Sequence, residues 1–186
     1  MKRRTAFQLG LTGGALLWAG GLTWVGLRAT KLGPEPRRPL QALSRSEFAV
    51  IVALADCMLG PQALPDRKWP TPWQLQCPEK VDAVVAQLHP EACAEFKQLI
   101  GLFENGLSGL LTTLRPTPFS QLTVAAQQHR LNSWRTAPFS LMRSGYLALT
   151  RLIHATYYSS PEVYAALGYP GPPDVPFVPN ALEGTP

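Results

Sequence analysis

No apolar run in this chain of 186 residues sustains the alternation of a β-strand. The runs repeat at i, i+3, i+4 and i+7 instead, and proline or glycine closes them, which predicts an all-α body. Ser44-Arg45-Ser46-Glu47 is a capping box, with Leu43 placed before it as a staple. Behind it Phe48, Ile51, Val52, Ala55 and Leu59 form one stripe, and Gly60-Pro61 stops the helix. A second helix is expected after Pro78, with Val81, Val84, Val85 and Leu88 on one face. A third starts near Pro90 and Glu91. Phe96, Leu99, Ile100, Phe103, Leu107, Leu110, Leu111 and Leu114 keep helical spacing along it for more than five turns. Gly101, Gly106 and Gly109 each cost about 1 kcal/mol against alanine there, which suggests close helix contacts or a bend. Leu122-Thr123 stands as staple and cap for a fourth helix reaching Trp134. Pro138 opens a fifth, whose expected buried face is Phe139, Met142, Tyr146, Leu149, Ile153 and Tyr157. Ser159-Ser160-Pro161-Glu162 caps a short sixth, closed by Gly168 just past its end.

The expected architecture is one compact all-α domain of about five to six helices behind an apolar leader helix. Residues 1–32 read as the leader, 33–42 as a proline-rich linker and 43–173 as the helical domain. Residues 174–186 form a proline-rich tail expected to be disordered. The longest gap, residues 60–77, carries Trp69, Trp73 and four prolines. A loop of that length is functional, disordered or pinned by its own aromatics.

The leader carries the plainest functional signal. Lys2-Arg3-Arg4 precedes Leu9–Leu27, nineteen residues without a charge. A basic start before an apolar segment marks export, and the Arg3-Arg4 pair points to the twin-arginine route for folded proteins. The six glycines from Gly10 to Gly26 keep the apolar segment moderate, as such signals tend to be. Phe7 stands one place later than the pattern prefers, and the alternative is an ordinary export signal or anchor. No small-x-small cleavage site closes the segment, and nineteen residues are enough to cross a bilayer. Both a cleaved signal and a retained inner-membrane anchor are therefore open, and either places the body in the periplasm.

The formal charge of +5 does not describe a nucleic-acid binder. Seven Lys and Arg against Glu35 alone give residues 1–38 a net of +6. Ten basic against eleven acidic residues leave the remaining 148 at −1, so no basic face is left for phosphates.

Chemistry-bearing residues are scattered. His89, His129 and His154 lie on different segments, with no His-x-x-x-His or Glu-x-x-His, and metal ligation is not expected. No nucleophile elbow, phosphate loop or dinucleotide fingerprint occurs, so neither catalytic nor cofactor-binding residues are assigned. Asp56 and Asp66 have no second carboxylate at a useful spacing. Cys57, Cys77 and Cys93 form no Cys-x-x-Cys. Cys57 closes the first helix and Cys77 opens the second, so an oxidising compartment allows a disulfide between them. Closing that loop would contribute on the order of 3 kcal/mol. The alternative is three small buried hydrophobes.

The segment Tyr157–Pro173 differs in kind, packing four tyrosines and four prolines around the short sixth helix. Stiff aromatic surface suits binding, which makes Tyr157, Tyr158, Tyr164, Tyr169, Pro170, Gly171 and Pro172 candidates for a partner interface. The competing reading places the tyrosines in the core beneath the tail.

These pieces resemble the gluconate 2-dehydrogenase subunit 3 family, the small or gamma subunits of membrane-associated flavin-dependent sugar dehydrogenases. The resemblance rests on Leu43-Ser44-x-x-Glu47, the Ala53-Leu54-Ala55-Asp56 run, Val81-Asp82 at a helix opening, and Tyr157-Tyr158 followed by Pro161 and Leu167-Gly168-Tyr169-Pro170-Gly171-Pro172. It spans residues 43–173, and family members often carry a twin-arginine leader. The resemblance implies a non-catalytic accessory subunit. FAD and the redox chemistry belong to a large partner of the glucose–methanol–choline oxidoreductase class, which the small subunit escorts through the twin-arginine translocon. A cytochrome c subunit of the same complex and the inner membrane are further implied partners. The loop with Trp69 and Trp73 and the three cysteines have no counterpart in that pattern.

Overall fold

Ser44 starts the first helix as its sequence suggests. Its side chain accepts from the Glu47 amide while the Glu47 carboxylate accepts from the Ser44 amide, closing both halves of the capping box. Helix α1 (Arg45–Leu59) then buries residues all round its circumference, among them Phe48, Ile51, Leu54 and Cys57. A helix apolar on every side belongs at the centre. It packs against α2 (Cys77–Ala86), α3 (Pro90–Glu104), a 3-10 turn at Phe119–Gln121 and α4 (Val124–Arg135). Helix α5 (Ser140–Tyr158) lies over α2 and α4, and α6 (Pro161–Leu167) closes against α5.

The molecule is a computed structural model that describes residues 30–63, 69–105 and 117–172. Among these residues it contains six α-helices and no strand, so the all-α expectation holds. The leader with Arg3 and Arg4 lies outside the described residues, as do Asp66, residues 106–116 and the tail from 173.

Several boundaries and faces differ from expectation. Helix α3 stops at Glu104, because Asn105 adopts an extended backbone with ψ 130, so the apolar stripe is not one helix through Leu114. Leu107, Leu110, Leu111 and Leu114 fall outside the described residues. Gly101 faces open space, with no atom within 4 Å of where a Cβ would stand, so it marks no close contact. On α2, Val81 and Val85 are buried and Val84 is exposed, and Leu88 lies exposed beyond the helix end at Ala86. Val81-Asp82 sits in the middle of that helix, which opens at Cys77. Phe139 is the N-cap residue of α5 and is exposed, whereas Leu149, Ile153 and Tyr157 form its buried stripe.

Helices pack closely at Gly145 of α5. A Cβ there would lie 2.6 Å from Leu99 Cδ1 and 2.9 Å from Trp134 Cζ3. Trp134 is fully buried, edge-on to Phe103 with centroids 4.8 Å apart, and Phe103 meets Phe119 at 4.6 Å. Each such ring contributes roughly 1.5–3 kcal/mol by burial, and the edge contacts add to it.

Residues 33–42 do not span free solvent. Pro34, Pro36 and Pro39 lack an amide proton and cannot join a ladder, and the amides of Arg37, Gln41 and Ala42 donate to side chains of the body. The Arg37 amide donates to Glu79 Oε1 at 3.2 Å, and Arg38 donates to the Gln76 side chain. The amides of Gln41, Ala42 and Leu43 converge on the Asp82 carboxylate at 2.7, 3.0 and 2.7 Å. Arg45 reaches back to the carbonyls of Pro34 and Gly33. At the start, the Lys31 amide donates to Ser120 Oγ at 3.1 Å, and the Thr30 hydroxyl bonds Glu104. The expected linker is a strap along the body.

Candidate partner-binding surface

The C-terminal end of α5 carries two tyrosines in sequence, and helical geometry sends them in different directions. Tyr157 continues the Leu149–Ile153 stripe and is fully buried. Its hydroxyl donates to the Pro70 carbonyl at 2.7 Å, so it fastens the proline-rich loop to the core. Tyr157 is therefore a core residue, and its assignment to an interface is corrected. Tyr158 is half-buried. Its ring meets Tyr157 edge-on at 5.2 Å, Trp69 edge-on at 6.3 Å and His154 at 5.9 Å. The loop after α1 is thus pinned by aromatics, one of its own and two from α5. Trp73 carries the Arg37 guanidinium 4.9 Å above its ring, a second fastening.

Helix α6 places the remaining candidates. Pro161 occupies its first turn. Ser160 does not cap with its side chain, because its Oγ accepts from Lys80 Nζ at 2.6 Å. Gly168 takes φ +67, and the following amide of Tyr169 returns to the Tyr164 carbonyl at 2.9 Å while the Gly168 amide bonds Ala165 O. Those two bonds make a Schellman ending, which requires the left-handed residue glycine supplies. The turn folds Tyr169 back so that its ring meets Tyr164 edge-on at 5.3 Å. Tyr164 is half-buried, while Tyr169, at 46 % exposure, stands out with Pro170 and Pro172. Gly171, half-buried at φ +100, turns the chain beneath them.

Sequence reasoning missed Trp69 as a neighbour of Tyr158, since no local spacing links residue 69 to residue 158; His154, at i−4 on the same helix, was there to be read. His154 is exposed, and partial loss of hydration lowers its imidazole from the usual range, favouring the neutral ring. A separate run of large apolar side chains faces solvent from the first half of α5. Phe139 is 60 % exposed, Leu141 64 % and Leu147 43 %.

All three cysteines are free thiols, so the Cys57–Cys77 disulfide does not form in this structure. The Cys77 thiol is engaged with Thr156 Oγ1 at 3.2 Å and the Ile153 carbonyl, and the Cys57 thiol donates to Leu54 O. Burial first, and the Asp56 carboxylate second, push the Cys57 thiol up to about 12, and burial raises Cys77 as well. Both are buried core groups with little thiolate character. Burial alone raises the Asp56 carboxyl. Among the described residues no cluster of His, Cys, Asp and Glu is arranged to hold a metal ion.

A buried polar group does exist beside the Phe103 ring cluster. Arg130 of α4 is fully buried and donates to the Thr117 carbonyl at 2.8 Å, while Gln127 donates to the Phe119 carbonyl. The Arg130 Nε and Nη1 groups and the Trp134 indole nitrogen find no hydrogen-bond partner. Glu104 accepts from both the amide and the hydroxyl of Ser120 at 2.9 and 2.6 Å. Burial raises its pKa, opposed by those bonds, by Thr30 and by the Arg130 charge.

No family model, no curated protein and no solved structure matches this chain. No helix among the described residues is long and apolar enough to cross a membrane.

Proposed function

We propose that this protein is a non-catalytic accessory subunit that binds and stabilises a flavin-dependent dehydrogenase of the glucose–methanol–choline class and escorts it through the twin-arginine pathway into the periplasm. The reading starts from the resemblance of residues 43–173 and the Arg3-Arg4 leader. The observation that carries its binding half is the set of large side chains left in solvent on a well-packed helical body. Phe139, Leu141 and Leu147 lie along α5, and Leu167 and Tyr169 stand at the end of α6. Large apolar side chains left in solvent supply contact area for a partner, and Tyr169 beside Pro170 offers a stiff aromatic contact at low entropy cost.

Co-purification from a strain expressing the tagged full chain tests the proposal. A large subunit with flavin absorbance should emerge with it, and Arg3→Lys with Arg4→Lys should leave both proteins in the cytoplasm. A chain that purifies alone, or a partner that stays periplasmic and active in the double variant, overturns the reading. The second reading is a membrane-anchored helical periplasmic protein with a structural role and no oxidoreductase partner. The same exposed residues and the uncharged Leu9–Leu27 stretch are compatible with it.

A further inference from the structure

We propose that the strap holds the body against the bilayer, with anionic lipid headgroups as the partner of its basic outer face. The inference rests on reading Leu9–Leu27 as a retained membrane segment, and it stands apart from the accessory-subunit reading.

The first argument is length. The uncharged stretch ends at Leu27, and Thr30 is already bonded to Glu104 while Lys31 is bonded to Ser120. Three peptide units reach at most about 10 Å when fully extended. Had residues 30–42 been a free linker, the body could have stood roughly 40 Å farther from the membrane. The hydrogen bonds to Ser120, Glu79, Gln76 and Asp82 consume that length. The end of the body that carries Glu104 and Ser120 must then lie at the headgroup level.

Charge and shape agree with this placement. The strap carries Lys31, Arg37 and Arg38 against Glu35, while the rest of the body is close to neutral. The Lys31 contact with the body is made by its backbone amide; Arg37 and Arg38 also touch Trp73 and Gln76 through their side chains, and all three residues remain exposed. Leu32 between them is 59 % exposed. Arg37 lies over Trp73, and an aromatic ring with a basic head is the composition that settles at membrane interfaces. Basic residues beside a bilayer segment gain from an anionic surface within about a Debye length.

The test uses the full chain reconstituted in vesicles of phosphatidylglycerol and phosphatidylcholine that contain a lipid with a nitroxide on its headgroup. A fluorophore is attached through Gln121→Cys, next to Ser120, in a Cys93→Ser background; Cys57 and Cys77 are buried. The label should be quenched. Inserting about ten glycine and serine residues between Ala29 and Thr30 lengthens the tether without touching the fold, and quenching should be lost. Lys31→Glu, which leaves the backbone bond to Ser120 in place, should weaken quenching in the anionic vesicles and leave it unchanged in phosphatidylcholine alone. An unquenched label in the native chain, or equal quenching with the longer tether, overturns the proposal. An unchanged signal in the charge-reversed chain overturns the choice of anionic lipid. A mature protein whose measured mass lacks residues 1–29 also overturns it, yet leaves the accessory-subunit reading standing. Purification without a flavoprotein does the reverse.

Discussion

A methyl group added at position 145 has nowhere to go. Its nearest neighbours would be Leu99 Cδ1 at 2.6 Å and the Trp134 ring at 2.9 Å, and the ring is locked against Phe103. Gly145→Ala should cost about 1–3 kcal/mol, visible as a drop of several degrees in Tm. Gly101→Ala should do the opposite. That glycine is helical and open to solvent, so alanine should add about 0.5–1 kcal/mol. A melt in which the two substitutions shift Tm in the same direction would contradict the packing described. Glu104 makes a third residue-level prediction. Its raised pKa means the folded chain keeps a proton that the unfolded chain releases just above the ordinary value of 4.5. Stability from this group is therefore full below that value and is lost as pH rises through the folded pKa. Glu104→Gln should flatten the fall of Tm with pH in that window, and an unaltered slope would remove Glu104 as its source.

The elements show where a carboxylate in mid-helix does the work of a turn. Asp82 accepts three successive amides, so Asp82→Ala should free the strap and expose the bonds after Lys31 and Arg37 to trypsin. Cleavage there should accelerate at least tenfold while the helical signal persists; unchanged digestion would mean the strap holds by other contacts. At the opposite end, Tyr169→Ala keeps the backbone bond to Tyr164 and removes only an exposed ring. Tm should move little, and a flavoprotein partner should be lost in pull-down. The helices were largely legible beforehand, because Ser44, Thr123, Pro161 and Gly168 act through their immediate neighbours. The strap was not. Its amides bond to residues 40 or more positions away, and no local rule joins Gln41 to Asp82. Helix α4 was legible as a helix but not in its buried face, since Gln127 and Arg130 go inward to donate to the carbonyls of Phe119 and Thr117, and Trp134 goes inward to pack on Phe103. Of the four tyrosines named as interface candidates, Tyr158 and Tyr164 are half-buried and Tyr169 is exposed, whereas Tyr157 is core. The i, i+4 stripe that includes Ile153 decided its direction.

At the scale of the whole molecule, the first half of α5 presents Phe139, Leu141 and Leu147 to water while Leu149, Ile153 and Tyr157 of its second half are core. The purified chain should therefore bind a dye that brightens on apolar surface. Leu141→Glu with Leu147→Glu should abolish that signal and the capture of a partner without lowering Tm. Dye binding that survives the double substitution would locate the apolar patch elsewhere.

The Lys31–Ser120 bond also bears on timing during synthesis. Its two residues are 89 positions apart, so a growing chain cannot close the strap until its far anchor has been made. At about 5–20 residues per second that is a delay of roughly 5–20 s, during which the amino-terminal segment hangs on a free, extended tether. The part of the strap after Arg37 can dock once Gln76, Glu79 and Asp82 have emerged, but the part from Lys31 shortens only after Phe119–Gln121 has folded. The reach of the amino terminus thus reports, to anything that holds it, whether the body behind it has finished folding.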